Sequence, residues 1–327
     1  MLVGPYLRFR NPAQWARDPA EHYARNLDIA ALVDELGYGS VWLTEHHFVD
    51  DAYTPSTMPV AAAIAARTRR VRIGTNVLLA PFHHPVRLAE DTSVVDLLSG
   101  GRLVVGIGSG YRPQEFAGYG IDRRHRGDLT DEVVEVLLRC WTEDRVNHEG
   151  RFFQLHDAAV TPKPLQRPYP PLYLGGVNPR ALRRAARLSD GRVAGVPSAE
   201  LHRLLVQEMA ATGRDPAAIG YIHLLWVYVG EDDDSAWREA GVHAEYEHMH
   251  YRRWWAEVGR DVMRAPTRQH YIIAGPQTVV RRVTESLARA PGRIDHLVLG
   301  MDLAGLSPSL LEASLRRFAS EVLPHLR

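Results

Sequence analysis

The chain has one cysteine, no excess charge of either sign and no long apolar run. Cys140 has no partner for an internal disulfide, which fits a reducing compartment. Lysine plus arginine equals aspartate plus glutamate at 39 each, a formal net charge of zero. That balance argues against a nucleic-acid-binding protein, which shows a basic excess or stripe. No stretch reaches the roughly 18 apolar residues of a membrane-spanning helix. The opening residues, MLVGPYLRFRNP, have neither the charged lead nor the apolar core of a signal peptide. The 26 glycines and 21 prolines are scattered, so there is no collagen-like or low-complexity segment. What remains is a cytoplasmic, enzyme-sized globular chain with no nucleic-acid or membrane partner, expected to form a single domain over residues 1–327.

What is present is an alternation. SVWLTEHH (40–47), VRIGTNVLLAP (71–81) and RLVVGIGSG (102–110) begin 31 residues apart, the spacing of a repeated strand–helix unit. VGPYLRF (3–9) precedes them, and PLYLGG (171–176), GRVAGV (191–196), YIHLLWVYVG (221–230) and IDHLVLG (294–300) follow. These eight segments are mostly apolar throughout, as parallel strands buried on both faces are. Between them, Leu129, Val133, Val136, Leu137 and Cys140 share one helical face, as do Leu311, Leu315, Phe318 and Val322. Gly37, Gly100 and Gly191 stand where helices should stop. Eight strand–helix units predict an α/β fold, a (β/α)8 TIM barrel. The rival is a doubly wound open sheet. It normally carries a GxGxxG turn after its first strand, and none is there.

Two stretches interrupt the repeat. Residues 145–170 read as a hairpin around Gly150 followed by a proline-rich connection. Residues 231–272 read as a helical, lid-like insertion holding Trp237, His243, Tyr246, His248, His250, Tyr251, Trp254 and Trp255. Barrel active sites lie at the C-terminal ends of the strands, so an insertion after strand seven is placed to cover one. A helical hairpin whose aromatic residues simply pack on the barrel is the alternative.

The strand ends supply the candidate chemistry: Arg8 and Phe9; Glu45, His46 and His47; Asn76 and Val77; Gly108, Ser109 and Gly110; Gly175, Gly176 and Asn178. Neighbouring strand residues point to opposite faces, so only one of His46 and His47 can face the barrel mouth. A histidine there could act as acid, base or donor near neutral pH, or merely cap the strand. It could also ligate a metal with His83 or His84, but no H-x-H or HExxH spacing supports that, and no metal is expected. The glycines of 106–110 let backbone amides approach a phosphate, with Arg112, Arg123, Arg124 and Arg126 following. Gly175-Gly176-Val177-Asn178 ends strand five and opens a helix, with Asn178 as N-cap and Pro179 in first position. Together these clusters make a phosphate pocket plausible; turn glycines and solvated arginines are the plainer reading.

LGYGSVWLTEHHF, VRIGTNVLLAPFHHPVRLAEDTSVVDLLSGGRLVVGIGSGYRPQEFAGYGID and PLYLGG resemble the bacterial luciferase-like flavin-dependent monooxygenases. EGRFFQL, TPKPLQRPYPP, IIAGPQTV and IDHLVL are similar as well, so the resemblance covers nearly the whole chain, least clearly 231–272. It implies the same barrel, with reduced FMN at its mouth. A separate NAD(P)H-dependent flavin reductase would supply that FMN, and O2 would convert it to the flavin 4a-hydroperoxide that oxygenates a small organic substrate. His46 matches the histidine of the EHHF motif, which assists flavin oxygen chemistry. Asn76-Val77 matches a non-prolyl cis peptide under the isoalloxazine. Ser109, Gly175, Gly176 and Asn178 fall where relatives hold the phosphate, with Gly108 and Gly110 beside them.

The sequence also departs from the family pattern. Light-emitting luciferases carry Cys-Arg where this chain has Gly108-Ser109, so the arginine's contact would pass to Arg112 or Arg126. The acidic residue before Asn178 is here Val177. These changes point away from aldehyde-dependent light emission and toward another monooxygenase of the superfamily. They leave room for the deazaflavin-using branch, which transfers hydride, and for a flavin-binding protein without turnover. The substrate pocket is expected to include Phe9, Leu78, His250 and Trp254 beside His46, an apolar and aromatic set suited to a hydrophobic or aromatic molecule. Small side chains in PVAAAIAARTRR suggest a homodimer packed through the helices after strands two and three.

Overall fold

Each of the eight apolar segments supplies a barrel strand in the computed structural model, which describes residues 1–194 and 198–326. They are β1 (Leu2–Pro5), β2 (Ser40–Leu43), β3 (Arg72–Thr75), β4 (Leu103–Gly108), β5 (Leu172–Gly175), β6 (Gly191–Ala194), β7 (Gly220–Val229) and β8 (Ile294–Gly300). Residues 195 and 196 of the sixth expected segment lie outside the described residues. The strands pair in parallel in the order β1-β8-β7-β6-β5-β4-β3-β2. A bridge between Tyr6 and Trp42 brings β1 back to β2, and the Leu7 amide donates to the Trp42 carbonyl at 2.8 Å.

A helix follows each strand: α1 (Pro19–Glu35), α2 (Thr57–Arg67), α3 (Pro85–Ser99), α4 (Arg126–Thr142), α5 (Pro179–Leu188), α6 (Ala199–Ala211), α7 (Pro276–Ala288) and α8 (Pro308–Arg317). Local chemistry sets their ends. Asp18, Asn178 and Ser307 each accept an amide of the first turn ahead of a proline at the first helical position. Gly100 ends α3 at a φ of 67°, a left-handed conformation that costs a side-chain-bearing residue energy.

The apolar residues divide into two cores. A large one lies between the strands and the surrounding helices. A small one fills the barrel with Tyr6, Trp42, Val104, Tyr173, Ile222 and Val298, and Val193, Leu224 and Trp226 pack on it. Large rings fit inside because the facing strand offers glycine. A β-carbon on Gly300 would lie 2.2 Å from the Trp226 indole, and one on Gly74 would lie 2.2 Å from Trp42. Gly300→Ala is therefore expected to cost about 1–3 kcal/mol in a denaturant melt, the usual penalty for overpacking.

The interruptions are now defined. Val146–Glu149 and Gln154–Ala158 form the antiparallel hairpin, and the Gly150 amide donates to the Phe153 carbonyl. The segment 71–81 is not one strand: β3 stops at Thr75, and Leu78–Leu79 forms a separate two-residue strand against β4. Most of the 231–272 insertion is one cover helix, Asp233–Ala256, started by a capping box between Asp232 and Ser235. A short helix, Thr267–His270, follows. The insertion is not helical to its end. Tyr271–Ala274 is a strand parallel to the upper half of β7, where apolar, β-branched YIIA extends the sheet.

Candidate active site

A cavity of about 640 Å³ opens at the C-terminal ends of the strands. Its floor is the top of the barrel core, Tyr6, Val193, Leu224 and Trp226. Asn76, Val77, Leu79 and Gly108 form one side, and Tyr111, Tyr251, Trp255 and Val258 the cover. The Asn76–Val77 peptide is cis, and the buried Tyr6 hydroxyl donates to the Asn76 carbonyl at 2.6 Å. Gly108 lets Val77 approach: a β-carbon there would stand 2.7 Å from the valine methyl.

His46 lines the cavity; His47 does not. The His46 ring is held by Glu115, fully buried, whose Oε1 lies 2.7 Å from Nδ1 and also accepts the His47 amide. With Nδ1 donating to the carboxylate, Nε2 is the nitrogen left for the cavity. Tyr53 and Trp254 pack against the ring, with centroids at 4.7 and 5.0 Å.

His47 turns instead to Glu45, whose carboxylate accepts from His47 Nε2 at 2.7 Å, from His83 at 3.0 Å and from the Leu79 amide at 2.9 Å. Burial alone would raise the Glu45 pKa, but these hydrogen bonds and the His83 charge outweigh it and bring it to about 2. Burial lowers the His83 pKa, but the Glu45 hydrogen bond and charge outweigh it, for a net rise. A depressed carboxylate stabilises the fold above its unfolded pKa of about 4.5 and loses that as pH falls toward 2. A raised histidine stabilises below its unfolded pKa of about 6.5 and loses that as pH rises through its folded value. Glu45→Gln should therefore flatten both the acid and the alkaline limb of a stability-versus-pH curve measured by urea melts.

The far end of the cavity is built for an anion. Gly110 and Gly176 take φ values of 65° and 130°. Ser109 Oγ accepts from Arg184 at 3.3 Å; Arg184 is buried, bonded through Nε to Asp131, and donates to the Gly127 carbonyl. Arg126 lines the same end, as does the first turn of α5 through Asn178, Arg180 and Ala181, where helix amides and dipole favour negative charge.

Ten of the expected site residues thus meet here: His46, Asn76, Val77, Gly108, Ser109, Gly110, Arg126, Gly175, Gly176 and Asn178. Five do not line the cavity. Arg112 is buried, donates to the His47 carbonyl at 3.1 Å and lies over Trp254 at 4.5 Å, so it supports the His46 side rather than the arginine end of the cavity. Phe9, at a φ of 58°, packs on Tyr23 of α1. Leu78 is core, and its neighbour Leu79 faces the cavity because the strand restarts after Val77. His250 and Trp254 lie behind the lining face of the cover helix, which presents Tyr251, Trp255 and Val258 instead. Their i, i+4, i+7 spacing is the signal that could have selected them. Arg184 carried a similar signal, one turn beyond Arg180 on α5, whereas Glu115 carried none.

The cover helix is fixed by charge. Glu247, fully buried, pairs with Arg8 at 2.8 Å and with Arg10, and accepts the Ala304 amide. Arg10 also donates through Nε to Asp51 at 2.7 Å. Loops after β1, β2 and β8 are thereby tied to one helix.

The profile of the luciferase-like monooxygenases matches residues 1–293. The chain belongs to this family. It is 27% identical to the monooxygenase RslO1 of Streptomyces bottropensis, with a TM-score of 0.86 over all of both chains. It is 30% identical over 161 residues to the oxygenase component of the flavin-dependent trigonelline monooxygenase of Acinetobacter baylyi, 49% of this chain and 44% of that one. It is 32% identical over 174 residues to an F420-dependent glucose-6-phosphate dehydrogenase of Microbacterium testaceum, 51% of each. The chain spans about half the length of the curated relatives it matches. Its fold is the luciferase-like barrel, and no helix among its described residues is long and apolar enough to cross a membrane.

Proposed function

We propose that the protein is the oxygenase component of a two-component FMN-dependent monooxygenase. It would receive reduced FMN from a separate NAD(P)H-dependent flavin reductase in the cytoplasm and use O2 to oxygenate a hydrophobic or aromatic substrate. The observation that carries this reading is His46, its Nδ1 fixed by buried Glu115 and its Nε2 left for an aromatic-walled cavity. The donor set fits the cofactor. Val77 and the Asn76 peptide offer a face to a flat ring, and Ser109, Arg184 and the α5 N-terminus suit a phosphate. Bound there, the flavin supplies the electrons for oxygen chemistry. His46 would hold and release a proton at Nε2, and Trp226, Tyr251 and Trp255 would exclude water and seat the substrate. Exposed Val94, Leu97 and Leu98 on α3 support a homodimer through that helix.

The F420-dependent relatives give the second reading, hydride transfer from a reduced deazaflavin. Trp226 and Trp255 line the cavity, so tryptophan fluorescence reports binding directly. Under anaerobic titration reduced FMN should quench at lower concentration than reduced deazaflavin; the reverse order would favour hydride transfer. Arg184→Ala should weaken FMN about tenfold to a hundredfold and riboflavin hardly at all, because only FMN carries the phosphate.

A further inference from the structure

Six guanidinium groups line the anion end of the cavity: Arg123, Arg124, Arg126, Arg180, Arg184 and Arg260. The chain as a whole is neutral, so this is a local concentration. Three are compensated within the protein: Arg124 by Asp122, Arg180 by Asp128 and Asp131, and Arg184 by Asp131. Arg123, Arg126 and Arg260 have no ion pair among the described residues. They are also close enough to feel one another, since burial and then the charges of Arg123 and Arg260 lower the pKa of Arg126. Like charges gathered without a counter-charge disfavour the free state and favour a bound anion.

The three come from two directions. Arg123 and Arg126 stand at the start of α4, and Arg260 follows the cover helix with its guanidinium 5.7 Å from the Trp255 ring. A single phosphate is already provided for by Ser109, Arg184 and the first turn of α5. We propose that Arg123, Arg126 and Arg260 form a second anion subsite, which takes a phosphate or carboxylate beyond the flavin phosphate. This rests on reading the cavity as a flavin site. The second anion has two possible sources: an extension of the cofactor itself, or an anionic molecule that enters separately.

The test uses the full chain and the double variant R123Q/R260Q, both changes on accessible side chains. Riboflavin, FMN, FAD, a deazaflavin with a carboxylate-bearing tail, and inorganic pyrophosphate are titrated by tryptophan quenching or thermal shift at low and high salt. If the cofactor supplies the anion, an extended flavin binds wild type about tenfold more tightly than FMN at low salt. The double variant loses that advantage while riboflavin and FMN stay within about twofold. If the anion enters separately, pyrophosphate raises the melting temperature of the wild type but not of the variant, and the extended flavins gain nothing over FMN. Equal response of wild type and variant to every multiply charged probe overturns the subsite. So does a loss for FMN as large as for the extended flavins, because the arginines would then serve the first phosphate. Failure of riboflavin and every other flavin to bind overturns the flavin reading separately, and the pyrophosphate comparison still decides the subsite.

Discussion

His46→Ala is expected to lower turnover about a hundredfold to ten-thousandfold, the usual range for a positioned proton-transfer group, with FMN affinity changed by no more than about twofold. The two effects separate because His46 sits against Tyr53 and Trp254, away from the arginine end proposed for the phosphate. Glu115→Gln keeps the packing but removes the charge that fixes the proton on Nδ1. It should give a smaller loss of turnover, since the amide oxygen can still accept from Nδ1 but without the charge that strengthens the bond. Steady-state assays coupled to a flavin reductase, with FMN binding measured in parallel, check both. A His46→Ala protein with unchanged turnover would leave this histidine a packing residue.

Glu247→Leu should destabilise the protein by about 3–5 kcal/mol, because it leaves buried guanidiniums without their main counter-charge. Arg8 is fully buried and its Nη1 lies 2.8 Å from Glu247; the Asp302 side chain accepts only the Arg8 backbone amide. Arg10 keeps Asp51. The loss should appear first where the ion pairs act, as faster proteolysis within 231–272, and then as a lower urea midpoint. Glu247→Gln should cost less, since the amide oxygen still accepts from the Ala304 amide. A double change removing Arg8 and Glu247 together should recover part of the stability, because the unpaired charge dominates the single-variant loss.

The barrel was legible because its signals are local and repeated. Buried parallel strands read as apolar runs, and the runs at 40, 71 and 102 carry the spacing of the repeat. The glycine-rich strand ends were legible for the same reason, since Gly110 and Gly176 occupy turns that few other residues adopt. What stayed hidden depends on rotation and on long-range contact. The cover helix could be placed from its aromatic residues, but its facing, with Tyr251 and Trp255 inward and Trp254 behind, follows from Glu247 meeting Arg8 and Arg10 more than 230 residues away in sequence. Leu78 and Leu79 exchanged places because a strand that stops and restarts loses its alternation. Glu115 gave no signal, because a lone glutamate on the short helix Pro113–Gly118 reads as a solvated residue until the fold brings it to His46.

The most direct measurement mixes anaerobic protein and reduced FMN with oxygenated buffer in a stopped-flow instrument and follows the return of oxidised-flavin absorbance. With wild-type protein the return should lag far behind that of free reduced FMN, and His46→Ala should shorten the lag without releasing the flavin. Reoxidation at the free-flavin rate, with the flavin demonstrably bound, would contradict an oxygen-activating site built around His46.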